Sequence, residues 1–216
     1  IHHPLFPRYF CTMKMKSSKY CLVIEYINGI SLYDIIDNNL SKNDIFKIIF
    51  EIMIILECLH FNDYVYRDLK PDNIIIDENS TAFLIDFGRM IKNPSNNSKK
   101  ENEVFTLNMS SSFHAPEITS GCCFSCKADI YSLGKILCFI LEKKNSLFSV
   151  EEFTKLQEIS EKCSKIDEKE RPGIKSLIND FYLEFISKII RIKDKNEKNF
   201  IEEKHNDFYF CLWFLI

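Results

Sequence analysis

The stretch Tyr66 to Asp77, YRDLKPDNIIID, gathers side chains of the kinds that phosphoryl transfer needs. Asp68 could take a proton from a hydroxyl, and Asn73, five residues on, offers an amide oxygen to a cation. Lys70 lies between them, and Pro71 prevents a continuous helix, so base, cation and amide share one rigid loop. Moving a phosphoryl group calls for a proton acceptor, a positive charge on the moving group and ligands for Mg²⁺, all close together. Further on, LIDFG from Leu84 to Gly88 sets the carboxylate of Asp86 just past an apolar run. Mg²⁺ sites often consist of one or two carboxyl or amide oxygens completed by phosphates.

Those groups must be held by the elements around them. Asn73 to Ile76 and Ala82 to Ile85 are short apolar runs separated by the turn-rich Asp77-Glu78-Asn79-Ser80, which predicts a hairpin ending at Asp86. Ser41 with Asp44 resembles a capping box, and it opens a helix with Ile45, Ile48, Ile52, Ile55 and Leu59 at helical spacing. Asp129 to Leu141 is apolar nearly all round and predicts a buried helix. Ser149 with Glu152 is a second capping box, and Pro172 reads as a first-turn residue of a helix running toward Ile192. Upstream, Tyr20 to Tyr26 is β-branched and aromatic, a buried strand closed by a turn at Asn28-Gly29. Residues 92–103 have the polar composition of an exposed loop.

The chain has 216 residues, which makes one domain the default, and no internal repeat is visible. Lys and Arg number 28 against 31 Asp and Glu, a near-balance that argues against coating nucleic acid or an anionic membrane. Binding a nucleotide needs only a few local charges. The nine cysteines are odd in number and lie in apolar segments, and the start lacks the pattern of a signal peptide. Free thiols in a reducing compartment follow, and with them a soluble, cytoplasmic protein. The apolar end FYFCLWFLI has nine residues, against the ~20 that a membrane span requires. Cys122, Cys123 and Cys126, with His114 nearby, read as loop thiols, since a closed zinc site needs a second ligand pair. His60 ends an apolar helix and reads as a packed or capping histidine. The first residue, Ile1 rather than Met, hints at sequence missing upstream.

In their order, spread over more than a hundred residues, these motifs resemble the eukaryotic protein kinase family. The family's H-R-D-L-x-x-x-N reads here Tyr66-Arg67-Asp68-Leu69-Lys70-Pro71-Asp72-Asn73, D-F-G is Asp86-Phe87-Gly88, and A-P-E is Ala115-Pro116-Glu117. The resemblance implies an α+β, protein kinase-like fold. Residues 1–27 would be a partial small β lobe and hinge, 28–192 a mainly helical large lobe, and 193–216 a charged linker with an apolar tail. It implies Asp68 as catalytic base, Lys70 near the γ-phosphate, Asn73 and Asp86 as Mg²⁺ ligands, and ATP with Mg²⁺ as cofactors. It also implies that Asp129 braces the catalytic loop and that Arg171 pairs with Glu117.

Lys70 within D-x-K-x-x-N is the serine/threonine style, which makes protein hydroxyls the substrate. Tyr66 in place of His, and Phe105-Thr106-Leu107 before Ala115, are similar to the group around cyclic-AMP-dependent protein kinase. On that likeness an upstream kinase phosphorylates Thr106, which then faces Arg67, and Ser110 touches the base and the lysine. The alternative is that Thr106 is an ordinary loop threonine. The same likeness makes Glu25-Tyr26-Ile27 a hinge offering backbone groups to adenine, Ile24 the guard of a back pocket and Ile75 the floor under the base. Without it, YCLVIEY is a core strand.

The chain also departs from the pattern. No G-x-G-x-x-G occurs among its five glycines, and the V-A-I-K lysine and its helix glutamate are absent. The connection from Leu141 to Ser149 is short, Met109 and Ser111 replace Gly and Pro, and Phe208-Tyr209-Phe210 is similar to a hydrophobic tail motif that lacks its Ser or Thr. Two rivals follow: a catalytically silent, pseudokinase-like binding module, and a small-molecule phosphotransferase. Ala115-Pro116-Glu117 and the activation segment count against the second.

Overall fold

Strands β1 (Tyr9–Lys14) and β2 (Tyr20–Ile24) open the chain as an antiparallel pair in the computed structural model, which describes residues 3–16, 20–38, 40–93, 112–120 and 125–193. Composition predicts a buried β2, and here the structure differs. Tyr20 is 71% and Leu22 66% exposed, and β1 is exposed along its whole length. β-branched and aromatic residues favour the extended backbone, but burial depends on what packs against the sheet face. Among the described residues this sheet has two strands only.

β3 (Gly29–Ser31) follows, then α1 (Leu32–Ile35), α2 (Lys42–Phe61), β4 (Tyr64–Val65), β5 (Ile74–Asp77), β6 (Ala82–Leu84) and β7 (Ile91–Lys92). The predicted hairpin is β5–β6, and β3 adds a third strand on its β5 side, with Ser31 opposite Ile75. Gly29 therefore starts a strand rather than closing a turn. Its need for glycine is one of space: a Cβ there would lie 2.4 Å from the Ile76 carbonyl oxygen. β4 and β7 pair antiparallel, so Lys92 belongs to a strand and not to the predicted loop.

Helices form the rest: α3 (Pro116–Thr119), α4 (Lys127–Lys144), α5 (Val150–Cys163), α6 (Ile174–Phe181), a π-helical turn over Tyr182–Ile186, and α7 (Ser187–Lys193). Both predicted capping boxes are present. Asp44 N–H donates to Ser41 Oγ and Ser41 N–H to Asp44 Oδ2 at the start of α2, and Ser149 with Glu152 repeats the exchange at α5. Pro172 falls just before the N-cap Gly173, outside the helix that it was expected to begin.

The centre of the core is α2. Ile45, Ile48, Ile52, Ile55 and Leu59 are buried as their spacing predicts, but so are Ile49, Met53 and Leu56, because β6 and α6 cover the other side. Phe46 packs on Phe185 with ring centroids 4.8 Å apart. Each such side chain stabilises the fold by ~1.5–3 kcal/mol. α5 lies close against α4 because Gly134 leaves room: a Cβ there would meet the Cβ of Cys163 and the carbonyl of Ser160, both at 2.8 Å. Among the described residues, the six cysteines are free thiols and no helix is long and apolar enough to cross a membrane.

Candidate active site

The loop Tyr66–Asn73 is held from below by one carboxylate. Asp129, in the first turn of α4, is fully buried. Its Oδ1 accepts from Arg67 N–H at 2.8 Å, and its Oδ2 from Tyr66 N–H at 2.9 Å and shares a 2.9 Å contact with His60 Nε2. A helix N-terminus favours a carboxylate. The bonds also hold Arg67 at φ 69°, a left-handed conformation that costs a non-glycine residue ~1–3 kcal/mol. Tyr66 is buried and its hydroxyl donates to the carbonyl of Ile85; burial pushes its phenol well above the ordinary range. From the other side Ile85 N–H donates to the Asn73 carbonyl at 3.0 Å, so the loop Tyr66–Asn73 and the segment of Asp86 are stitched together.

Four donors converge on the Asp68 carboxylate. Oδ1 has His114 Nε2 at 2.9 Å and Arg89 Nη1 at 3.3 Å; Oδ2 has Asn73 Nδ2 at 3.1 Å and Lys70 Nζ at 3.8 Å. Burial pushes the carboxyl up, but these partners together hold it below the ordinary aspartate range, so it is ionised at neutral pH. The Asn73 amide also donates to the Asp68 carbonyl at 2.9 Å. Both donor bonds fix the amide's orientation and leave its oxygen for a cation. Asp86 is exposed at φ 59° and accepts from Gly88 N–H at 3.2 Å through Oδ1 alone among the described residues. An amide oxygen and a carboxylate oxygen at the mouth of this loop are the donor set that Mg²⁺ shares with phosphates. No group of three or more His, Cys, Asp or Glu capable of holding a metal occurs among the described residues.

The remaining predicted residues separate into three groups. Glu117 and Arg171 meet: Nη1 and Nη2 of Arg171 donate to the two Glu117 oxygens at 2.5 and 2.9 Å. The guanidinium, 2% exposed, also donates to the carbonyls of Lys165, Lys127 and Ile166 and lies over the Tyr131 ring. Ile24, Glu25 and Ile27 lie at and just after the end of β2. Glu25 N–H is committed to the Arg8 carbonyl at 2.7 Å, and Glu25 Oε2 accepts from Arg8 N–H at 3.1 Å. Ile75 is half-buried in β5. Thr106 and Ser110 lie outside the described residues, as do Cys122 and Cys123. Arg67, whose burial lowers its guanidinium's pKa, donates through Nε to the Arg89 carbonyl at 2.6 Å.

Two residues at the site escape a reading of the sequence. His114 and Arg89 flank the family motifs, one directly before Ala115 and the other directly after Gly88. Their position beside two motifs was the available signal. No spacing rule says that they converge on one oxygen of Asp68, 46 and 21 residues away in the chain. His60 is packed, as expected, and its partner is Asp129. Cys126 accepts a 3.3 Å contact from the Asn93 amide.

Comparison with known proteins is in keeping with this geometry. The family model described as protein kinase domain matches residues 2–209. Protein kinase 2 of Dictyostelium discoideum is 28% identical over 199 residues, covering 91% of this chain and 40% of that protein. A probable serine/threonine-protein kinase KIN1 homolog of Enterocytozoon bieneusi is 34% identical over 75% of this chain and 27% of its own length. Serine/threonine-protein kinase ppk6 of Schizosaccharomyces pombe is 30% identical over 69% of this chain and 19% of its own. The chain thus spans well under half the length of these relatives.

Proposed function

The chain belongs to the protein kinase domain family, and from that premise we propose that it transfers the γ-phosphate of ATP to serine or threonine hydroxyls of proteins. The observation that carries the reading is the ionised Asp68 carboxylate, which shares one braced loop with Lys70 and Asn73. Asp68 accepts the hydroxyl proton as the hydroxyl oxygen bonds to the γ-phosphorus and the bond from that phosphorus to the β–γ bridging oxygen breaks, releasing ADP. Lys70, 3.8 Å from that carboxylate, sets positive charge beside the moving phosphoryl group. Asn73 and Asp86 would hold Mg²⁺, which when bound neutralises charge on the phosphates. Serine/threonine specificity is supported by Lys70 and by the names of two relatives.

Finer assignments rest on the motifs. Residues 1–27 form a partial small lobe and hinge, 28–192 a large lobe and 193–216 a linker and tail. The backbone of Glu25 and Ile27 meets adenine, with Ile24 behind it and Ile75 beneath it. Thr106 is the phosphorylation site of an upstream kinase, its phosphate pairing with Arg67 to order the loop, and Ser110 contacts Asp68 and Lys70. Tyr66 and Phe105-Thr106-Leu107 support a likeness to the cyclic-AMP-dependent group. Free thiols at six cysteines support a reducing, intracellular setting.

The test uses the full-length protein. Asp68→Asn and Asp86→Asn should each abolish phosphorylation of a serine peptide while the protein still folds and unfolds in one cooperative thermal transition. Asp68→Asn should keep nucleotide affinity, because the base meets the hydroxyl and not ATP. Undiminished turnover from either variant overturns the assignment.

A further inference from the structure

Asp68 is nearly closed to solvent, 3% exposed, although a general base works only when a hydroxyl comes within about 2.6–3.2 Å of it. Against Oδ1 lies His114, whose Nε2 is 2.9 Å away, the distance at which a hydroxyl would also have to bind. His114 is 6% exposed, and its other ring nitrogen, Nδ1, is buried with no hydrogen-bond partner among the described residues. An unmet buried polar atom disfavours the seated ring. The imidazole is thus held by one good hydrogen bond and opposed by one unsatisfied nitrogen. A serine or threonine O–H donates to a carboxylate as Nε2–H does, so exchanging one for the other conserves the bond at Oδ1 and releases Nδ1 to find a partner.

We propose, resting on the kinase reading above, that His114 occupies the phosphoacceptor-hydroxyl subsite on Asp68 and competes with the protein substrate for it. Arg89, at 3.3 Å from the same oxygen, and Asn73, on Oδ2, keep the carboxylate oriented while the ring and the hydroxyl exchange. A competitor built into the chain reduces the fraction of molecules able to bind peptide, and so raises the apparent peptide constant by the inverse of that fraction. At saturating peptide it has been displaced and no longer matters. The signature is a change in peptide KM without a change in kcat.

The experiment compares unaltered full-length protein, His114→Ala and His114→Gln, with the serine peptide best phosphorylated in a mixed-sequence array. His114→Ala should lower the peptide KM by about threefold or more, with kcat and nucleotide affinity held. His114→Gln, which keeps a side-chain N–H, should stay near the unaltered value. A fall in kcat at constant KM, a rise in KM, or no change in either overturns the proposal. A second measurement needs only the unaltered protein: the ring nitrogen resonances of His114 during titration with the tightest-binding serine peptide and with its Ser→Ala analogue. The serine peptide alone should shift them; equal shifts, or none, overturn the proposal. Absence of phosphate transfer above the Asp68→Asn background would count against the kinase reading itself, while the resonance titration would still decide the fate of His114.

Discussion

The loop Tyr66–Asn73 and the helix α2 are both buried, yet opposite chemistry holds them in place. In α2, burial rests on Ile, Leu, Met and Phe side chains, with Glu51 as its one buried carboxylate. In the loop, polar atoms are held by named partners, several of them far off in the chain: Asp129 is 62 residues from Arg67, and Ile85 is 19 from Tyr66. Apolar packing is non-directional, so α2 tolerates replacement by side chains of similar volume. A buried polar network is not tolerant, because removing one member leaves the others unsatisfied at low dielectric. The loop is therefore easier to break by a single substitution than α2 is.

The largest effect should come from the brace. Asp129→Ala strands the backbone donors of Tyr66 and Arg67 and should cost ~3–5 kcal/mol, read as a lowered urea midpoint. Ile49→Val in α2 should cost only ~1 kcal/mol. Equal losses in the two variants would erase the contrast between loop and helix.

Next comes Glu51, the polar exception inside α2. It accepts from Ala82 N–H at 2.7 Å and has Lys47 at 3.7 Å, but burial raises its pKa from 4.5 to about 7. The folded state therefore binds the proton more tightly than the unfolded chain, and ionising Glu51 destabilises the fold as pH rises from 4.5 toward 7. Glu51→Gln should stabilise the protein by up to ~3 kcal/mol at pH 8 and by almost nothing below pH 4.5. Denaturation curves at both pH values check the sign, and a gain that is the same at both would refute the burial argument.

Gly29→Ala tests the strand β3, which pairs with the hairpin. Its Cβ would press on the Ile76 carbonyl, and the loss should be ~2 kcal/mol, visible in thermal melts. The smallest expected effect is at an exposed cap. Ser41→Ala removes one half of a capping box and should cost ~1 kcal/mol, with no influence on nucleotide affinity.

The sequence by itself determined what depends on neighbours along the chain. The stripe in α2, both capping boxes, the β5–β6 hairpin and the motif order from Tyr66 to Glu117 and Arg171 were legible because helical period, turn chemistry and motif spacing are local quantities. Tertiary structure alone decided the rest. It left β2 exposed, since composition specifies an extended backbone and not what covers it. It made Gly29 the start of a third strand instead of a turn residue, because only the approach of β5 makes the absence of a Cβ necessary there. It put Pro172 outside a helix that begins at Ile174. And it brought His114 and Arg89 onto Oδ1 of Asp68. A hydrogen bond depends on positions in space to within a fraction of an ångström, and no pattern of residue types along the chain carries that information.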